Sequence, residues 1–238
     1  MFMIREAMSV FWQALKDTWE ELYSLAIANL VWLFSWALPI GIGTATGVPI
    51  VIIITAVLSL VALPITTAGM YAVTNRVARG RTFHFADLID AIKLYWWRSL
   101  LWMLANAVFV LLVYMNLWFY PTVFKGTWVV FIAGLWLAIG IFWLAMQMYF
   151  WPILIEQERP RLLLAWRNCA YLILANPFYA FFVASFSIVL LGISVGLTLP
   201  FIFVGMALMG LLANNAVLTL YVKFGIIEDP RPKPTGGR

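Results

Sequence analysis

The side chains of this chain that could do chemistry inside an apolar environment are few, and most are amides. Asn29, Asn106, Gln147, Asn176, Asn214 and Asn215 lie within or beside long hydrophobic blocks. Amides in such places serve one of two ends. They hydrogen-bond to a neighbouring helix, at roughly 1 kcal/mol or less each, or they line a shared polar cavity that admits a neutral solute. Asn214 and Asn215 are the sharpest case. Adjacent helical residues point about 100° apart, so at least one of the two should face other protein.

Chemistry that needs more than amides has little to draw on. One histidine, His84, and one cysteine, Cys169, cannot assemble a zinc or haem ligand set, and a lone cysteine forms no intramolecular disulfide. No nucleophile–base pair, phosphate-binding glycine loop or metal-ligand spacing is present, so no catalytic residue, cofactor or metal is assigned. Asp87, Asp90, Glu156 and Glu158 are the acids that could serve a membrane enzyme. An exposed helix face, or for Glu156 a helix end at the interface, explains them more simply. Arg76, Arg79 and Arg81, with Arg159 and Arg161, form basic groups suited to lipid headgroups or a partner. Gly43–Gly47 and Gly192–Gly196 have the small-residue spacing that lets helices approach closely.

These residues must be positioned by membrane-spanning helices. Residues 22 to 75 and 168 to 222 contain no Asp, Glu, Lys or Arg. A hydrocarbon core about 30 Å thick takes about 20 apolar residues of helix to cross, so each stretch holds two crossings and a turn. Of the 238 residues 65% are hydrophobic and 11% charged, which leaves too little polar surface for a water-facing domain of this size. The spacing predicts an all-α polytopic protein with crossings near 22–42, 48–74, 99–121, 127–155, 177–198 and 200–223. Turns are expected at Pro39 to Pro49, Asn116 to Gly126 and Thr198 to Gly205. Residues 1–21 carry acidic residues and lack an uninterrupted apolar run before a small-residue cleavage site, so no cleaved leader is expected.

With six crossings, both termini and the two longer connections share one side. That side holds 14 of the 15 lysines and arginines, Lys125 being the exception. The bias predicts an inner-membrane protein with both termini in the cytoplasm. The absence of charge from the spans argues against proton-coupled transport. The net charge of +5 is then matched to anionic lipid rather than to nucleic acid.

The inner segments are amphipathic. Ile4, Met8, Phe11, Leu15, Trp19 and Leu22 recur at helical spacing, as do Phe85, Leu88, Ile89, Ile92, Tyr95 and Trp96. Both are expected to lie in the interface, with Leu162 to Leu174 as a third such helix. The order of interfacial helix and two crossings therefore occurs three times. Short echoes accompany it: Ala14-Leu15-Lys16 before Ala28-Asn29, Ala91-Ile92-Lys93 before Ala105-Asn106, and Ala165-Trp166-Arg167 before Ala175-Asn176. Parallel repeats over 1–80, 81–158 and 159–228 are the expectation, within one membrane domain. The Pro- and Gly-rich tail 229–238 is expected to be disordered.

Several motifs resemble a known family. Leu38-Pro39-Ile40, Leu63-Pro64-Ile65-Thr66, Met70-Tyr71, Arg79-Gly80-Arg81, Phe85-Ala86-Asp87-Leu88 to Lys93, Trp151-Pro152-Ile153-Leu154, and Asn168 with Ala175-Asn176-Pro177 are similar to the YesL-like family of bacterial membrane proteins. The chain departs from the family pattern by 25 residues between Ile40 and Thr66, where the corresponding motifs usually lie close. The resemblance transfers no catalytic residue and implies an accessory role in carbohydrate uptake or sensing. The expected function is a non-enzymatic accessory or scaffold protein whose partners are membrane lipids and other membrane proteins, such as a transporter. The alternative is a transporter or channel for a neutral solute or lipid that uses the amides.

Overall fold

The computed structural model describes residues 2–231, with side chains from residue 4 onward. Residues 232–238, most of the expected disordered tail, lie outside the described residues. The chain folds as α1 (Phe2–Glu20), α2 (Leu22–Thr46), α3 (Pro49–Ala78), α4 (Phe85–Val123), α5 (Trp128–Ile155), α6 (Leu162–Ala175), α7 (Pro177–Leu197) and α8 (Met206–Lys223). A π-helical turn, Phe201–Gly205, runs directly into α8. No strand is present among the described residues. Helices α2, α3, α4, α5, α7 and the run Phe201–Lys223 are long and apolar enough to cross a bilayer. The chain is an all-α polytopic membrane protein.

The first two hairpin turns fall later than the proline and glycine clusters predict, while the third begins at Thr198 as expected. Helix α2 continues through Pro39 and ends at Gly47, whose φ of 64° is the left-handed conformation that glycine adopts at a helix C-terminus. Extended Val48 then places Pro49 at the first position of α3, where its missing N–H costs nothing. Helix α4 likewise runs past Asn116 and Pro121 to Val123.

Two expected interfacial helices differ from their predicted form. Residues 85–96 are not a separate helix but the first part of the 39-residue α4. Neither proline nor glycine occurs between Phe85 and Tyr120, so nothing interrupts the backbone ladder. In α1 the tightly packed face is Ala7, Val10, Ala14, Asp17 and Thr18, while Ile4, Met8 and Trp19 of the apolar stripe are exposed. Small side chains let α1 settle against α7 and α8, with Phe11 and Leu15 packed beside them, which leaves Ile4, Met8 and Trp19 facing outward. The order of lead-in helix and two crossings is seen in α1–α3 and α6–α8. In the middle unit, lead-in and first crossing are one helix.

Helix α8 is the hub. It packs on α1, α2, α3, α5 and α7, and Leu211, Leu212, Ala216, Val217 and Leu218 are fully enclosed. Gly210 permits the approach of α3: a Cβ there would lie 2.5 Å from the Thr74 hydroxyl oxygen. Gly43 does the same for α2 against Thr55 of α3. A Cβ at Gly192 or Gly196 would meet nothing within 4 Å, so that spacing serves no helix contact among the described residues.

Candidate functional site

The amides are spent mainly on holding helices together. Asn29 of α2 reaches across to the π-helical turn. Its Nδ2 donates to the carbonyls of Phe201 (3.0 Å) and Ile202 (2.7 Å), and its Oδ1 accepts from the N–H groups of Met206 (2.8 Å) and Ala207 (3.1 Å). The two carbonyls and two N–H groups stand five residues apart in pairs, the π-helix spacing. One amide therefore bridges the loosened turn and uses its full donor and acceptor capacity. Asn29 is completely buried.

Asn214 and Asn215 both face protein, in two directions. Asn214 Nδ2 lies within hydrogen-bond distance of the Tyr71 carbonyl (3.0 Å), the Thr74 hydroxyl (3.0 Å) and the Gly210 carbonyl (2.9 Å). Its Oδ1 accepts from Asn75 Nδ2 at 3.2 Å. Asn75 also donates to Glu156 Oε1 at 2.7 Å. Arg79 grips the same carboxylate with two nitrogens, Nε to Oε1 at 3.2 Å and Nη2 to Oε2. This chain of contacts ties α8 to α3 and to the end of α5. On the other side, Asn215 Nδ2 donates to Asp17 Oδ2 at 2.8 Å, and Gln13 Nε2 donates to Asp17 Oδ1 at 2.6 Å, tying α8 to α1. Burial pushes the Asp17 carboxyl above its ordinary range, against the two amide donors that lower it.

Asn106 and Gln147 form a separate ladder between α4 and α5. The Trp143 indole donates to Asn106 Oδ1 and the Trp102 indole to Gln147 Oε1, both at 2.9 Å. Each amide nitrogen returns to its own helix, Asn106 to the Trp102 carbonyl and Gln147 to the Trp143 carbonyl. Asn176 joins α6 to α7, and its buried Nδ2 meets no acceptor among the described residues.

The basic residues divide. Arg79 is committed to Glu156, Arg76 pairs with Asp87 at 3.2 Å, and Arg81, Arg159 and Arg161 are exposed. Asp87 additionally accepts the His84 backbone N–H at 2.9 Å, which caps the start of α4. Asp90 meets Lys93 on the surface.

Two cavities stand out. A polar one of about 510 Å³ lies between the end of α1, the α3–α4 connection and the end of the described chain, with Asp17, Glu20, Arg81, Asp229 and Arg231 on its wall. Hydrogen bonds from Arg231 hold the Asp229 carboxyl below its ordinary range. An apolar one of about 1090 Å³ opens between α5 and α7, with α8 and the π-helical turn behind it. Gln147 is the one sequence-predicted amide on either wall; none of Asp87, Asp90, Glu156 and Glu158 lines either cavity.

Sequence reasoning missed Asp17, Asn75, Thr74 and Gly210. Asn75 is the last residue of the first charge-free block, and that position was the available signal; Asp17, separated from the block by Glu20 and Glu21, carried none. The chain matches no family model, no curated protein and no solved structure.

Proposed function

We propose that the chain is a non-enzymatic protein of the bacterial inner membrane, an accessory or scaffold component linked to solute uptake or sensing. What supports this most is the use to which the amides are put. Asn29, Asn106 and Asn214 are taken up by bonds within the protein, and none of them lines a cavity. A solute path built on those amides would need them free. The exposed Arg81, Arg159 and Arg161 remain available to headgroups or a partner. The carbohydrate link rests on the family resemblance alone. Isolation under gentle detergent should bring down a membrane partner, and substitution of Arg159 and Arg161 by Ser should weaken that association. Repeated isolation of the chain alone would overturn the scaffold role.

Both termini are proposed to be cytoplasmic, from the one-sided Lys and Arg distribution. A cysteine at Lys125 should react with an impermeant maleimide added to whole cells, and one at Arg81 should not. The native Cys169 is a quiet background, because it is fully buried and burial raises its thiol pKa. Labelling at Arg81 alone would reverse the orientation.

A further inference from the structure

One arginine outside the basic groups that the sequence singles out is held where it can do more than set topology. Arg98 stands in α4 at the foot of its apolar crossing, since residues 99–124 contain no Asp, Glu, Lys or Arg. Its Nε donates to the Pro160 carbonyl at 3.2 Å and its Nη1 to the Leu94 carbonyl at 3.0 Å. Pro160 lies in the connection from α5 to α6, between Arg159 and Arg161. We propose that Arg98, Arg159 and Arg161 form a binding site for the phosphate of an anionic phospholipid, in the leaflet on the side of the termini.

The three guanidinium groups carry uncompensated charge. The two carbonyls hold Arg98 in place without neutralising it, and none of the three arginines pairs with a carboxylate among the described residues. The connection contains two acids. Glu156 is committed to Arg79, which leaves Glu158 alone against three positive charges. The connection is itself braced, because the Arg161 backbone N–H donates to Gln157 Oε1 at 2.8 Å. A guanidinium stays charged at any physiological pH, and its planar fork of five donors matches phosphate oxygens. Arg98 spends two of its five on the carbonyls and keeps three.

The depth of the site selects lipid. Charge stops at Arg98 because hydrocarbon begins there. Trp97 beside it is 55% exposed, and Leu163, two residues beyond Arg161, is 81% exposed. An indole favours the headgroup boundary, and an exposed leucine next to an arginine belongs at the same boundary, with its side chain toward the acyl chains. A lipid phosphate already lies at this level, whereas an acidic protein partner would have to reach it through the headgroups. The approach is open, since Arg159 and Arg161 are exposed and Arg98 is half-buried. The excess of positive charge favours phosphatidylglycerol over phosphatidylethanolamine, whose ammonium cancels the charge of its phosphate.

The site rests on the reading of Arg159 and Arg161 as headgroup contacts, and not on a protein partner. A chain that retains the lipid but brings down no partner would overturn the scaffold role alone. The test is native mass spectrometry of the full chain released from nanodiscs of phosphatidylglycerol and phosphatidylethanolamine in equal parts. The wild type should retain phosphatidylglycerol in preference. Arg98→Gln should reduce that retention about fivefold, and the double variant Arg159→Gln/Arg161→Gln about tenfold or more. Lys125→Gln, the same change of charge on the opposite side, should leave it unchanged. The double variant alters only exposed side chains and decides the matter if Arg98→Gln fails to fold. Equal retention of the two lipids would leave the arginines to an acidic partner and overturn the proposal. So would retention in the double variant equal to that in Lys125→Gln. Displacement of the lipid by millimolar glycerol phosphate would also overturn it, by showing a soluble phosphate compound to be the ligand.

Discussion

Helix α4 and the run Phe201–Lys223 that contains α8 have the same mean hydropathy over their most apolar stretches of 18 residues, yet they occupy opposite environments. None of that stretch is buried in α4, and 67% of it is buried in α8. Apolar side chains gain nothing by leaving lipid for protein, because both are hydrocarbon-like. What sorts the two helices is size and hydrogen bonding. Helix α8 offers Gly210, Ala213 and Ala216 for close approach, and Asn214 and Asn215 for bonds on two sides. Helix α4 offers Val108, Val110, Leu111, Leu112, Met115 and Trp118, all of them exposed. Its one amide beyond Asn106, Asn116, bonds only to the carbonyl of Leu112 one turn back among the described residues.

The comparison breaks most sharply at glycine. Gly210→Val should cost about 3 kcal/mol, because its Cβ collides with the enclosed Thr74. Gly192→Ala, where a Cβ meets open space, should change stability by no more than about 0.5 kcal/mol. Thermal unfolding in detergent reads both. Equal costs would mean that α8 is no more tightly held than the lipid-facing end of α7. Next in size is the ion pair that anchors the α8 network. Glu156→Gln leaves Arg79 half-buried without its counter-charge, and should cost about 3 kcal/mol or somewhat less. Asp90→Asn, in a pair where both side chains are more than 70% exposed, should be neutral within about 0.5 kcal/mol.

The amides sharpen the contrast further. Asn214→Leu removes the buried bonds that join α8 to Tyr71, Thr74 and Asn75 of α3 and should cost about 2 kcal/mol. Asn116→Leu on α4 should cost a few tenths of a kcal/mol at most. A similar cost at both would show that the α8 network contributes no more than a local helix bond.

The crossings were legible in the sequence because charge is excluded from hydrocarbon: the two long charge-free stretches hold four of them, and the shorter gaps 99–124 and 126–155 hold the other two. The turns were less so: Pro39 and Pro121 read as breaks, but each stands inside a helix. At Gly47 the backbone needs a positive φ, and that requirement set the turn. The amides could be singled out as polar residues in apolar surroundings. Their partners could not be, since Asn29 bonds to a turn more than 170 residues away. That turn has no side-chain signal of its own, because all four groups it presents are backbone. Helix α1 misled for a physical reason. A stripe of large apolar residues marks a face that prefers hydrocarbon, and beside a bilayer lipid serves as well as protein.

The smallest effect expected concerns the second arm of α8, at Asn215 and Asp17. Burial raises the Asp17 carboxyl above its unfolded value of 3.8, with Glu20 pushing the same way and Arg231 opposing. A folded state that holds its proton more tightly than the unfolded chain loses stability as pH rises through the folded pKa. The penalty is absent below about pH 3.8 and complete above the raised value. Asp17→Asn removes the ionisation while keeping an amide beside Asn215. Its melting temperature should therefore exceed that of the wild type at pH 7, and the gap should close as pH falls toward 4. A gap that stays constant with pH would mean that Asp17 is solvated well enough for its charge to cost nothing. The α1 arm would then be held by its small-residue packing and not by the Asn215 bond.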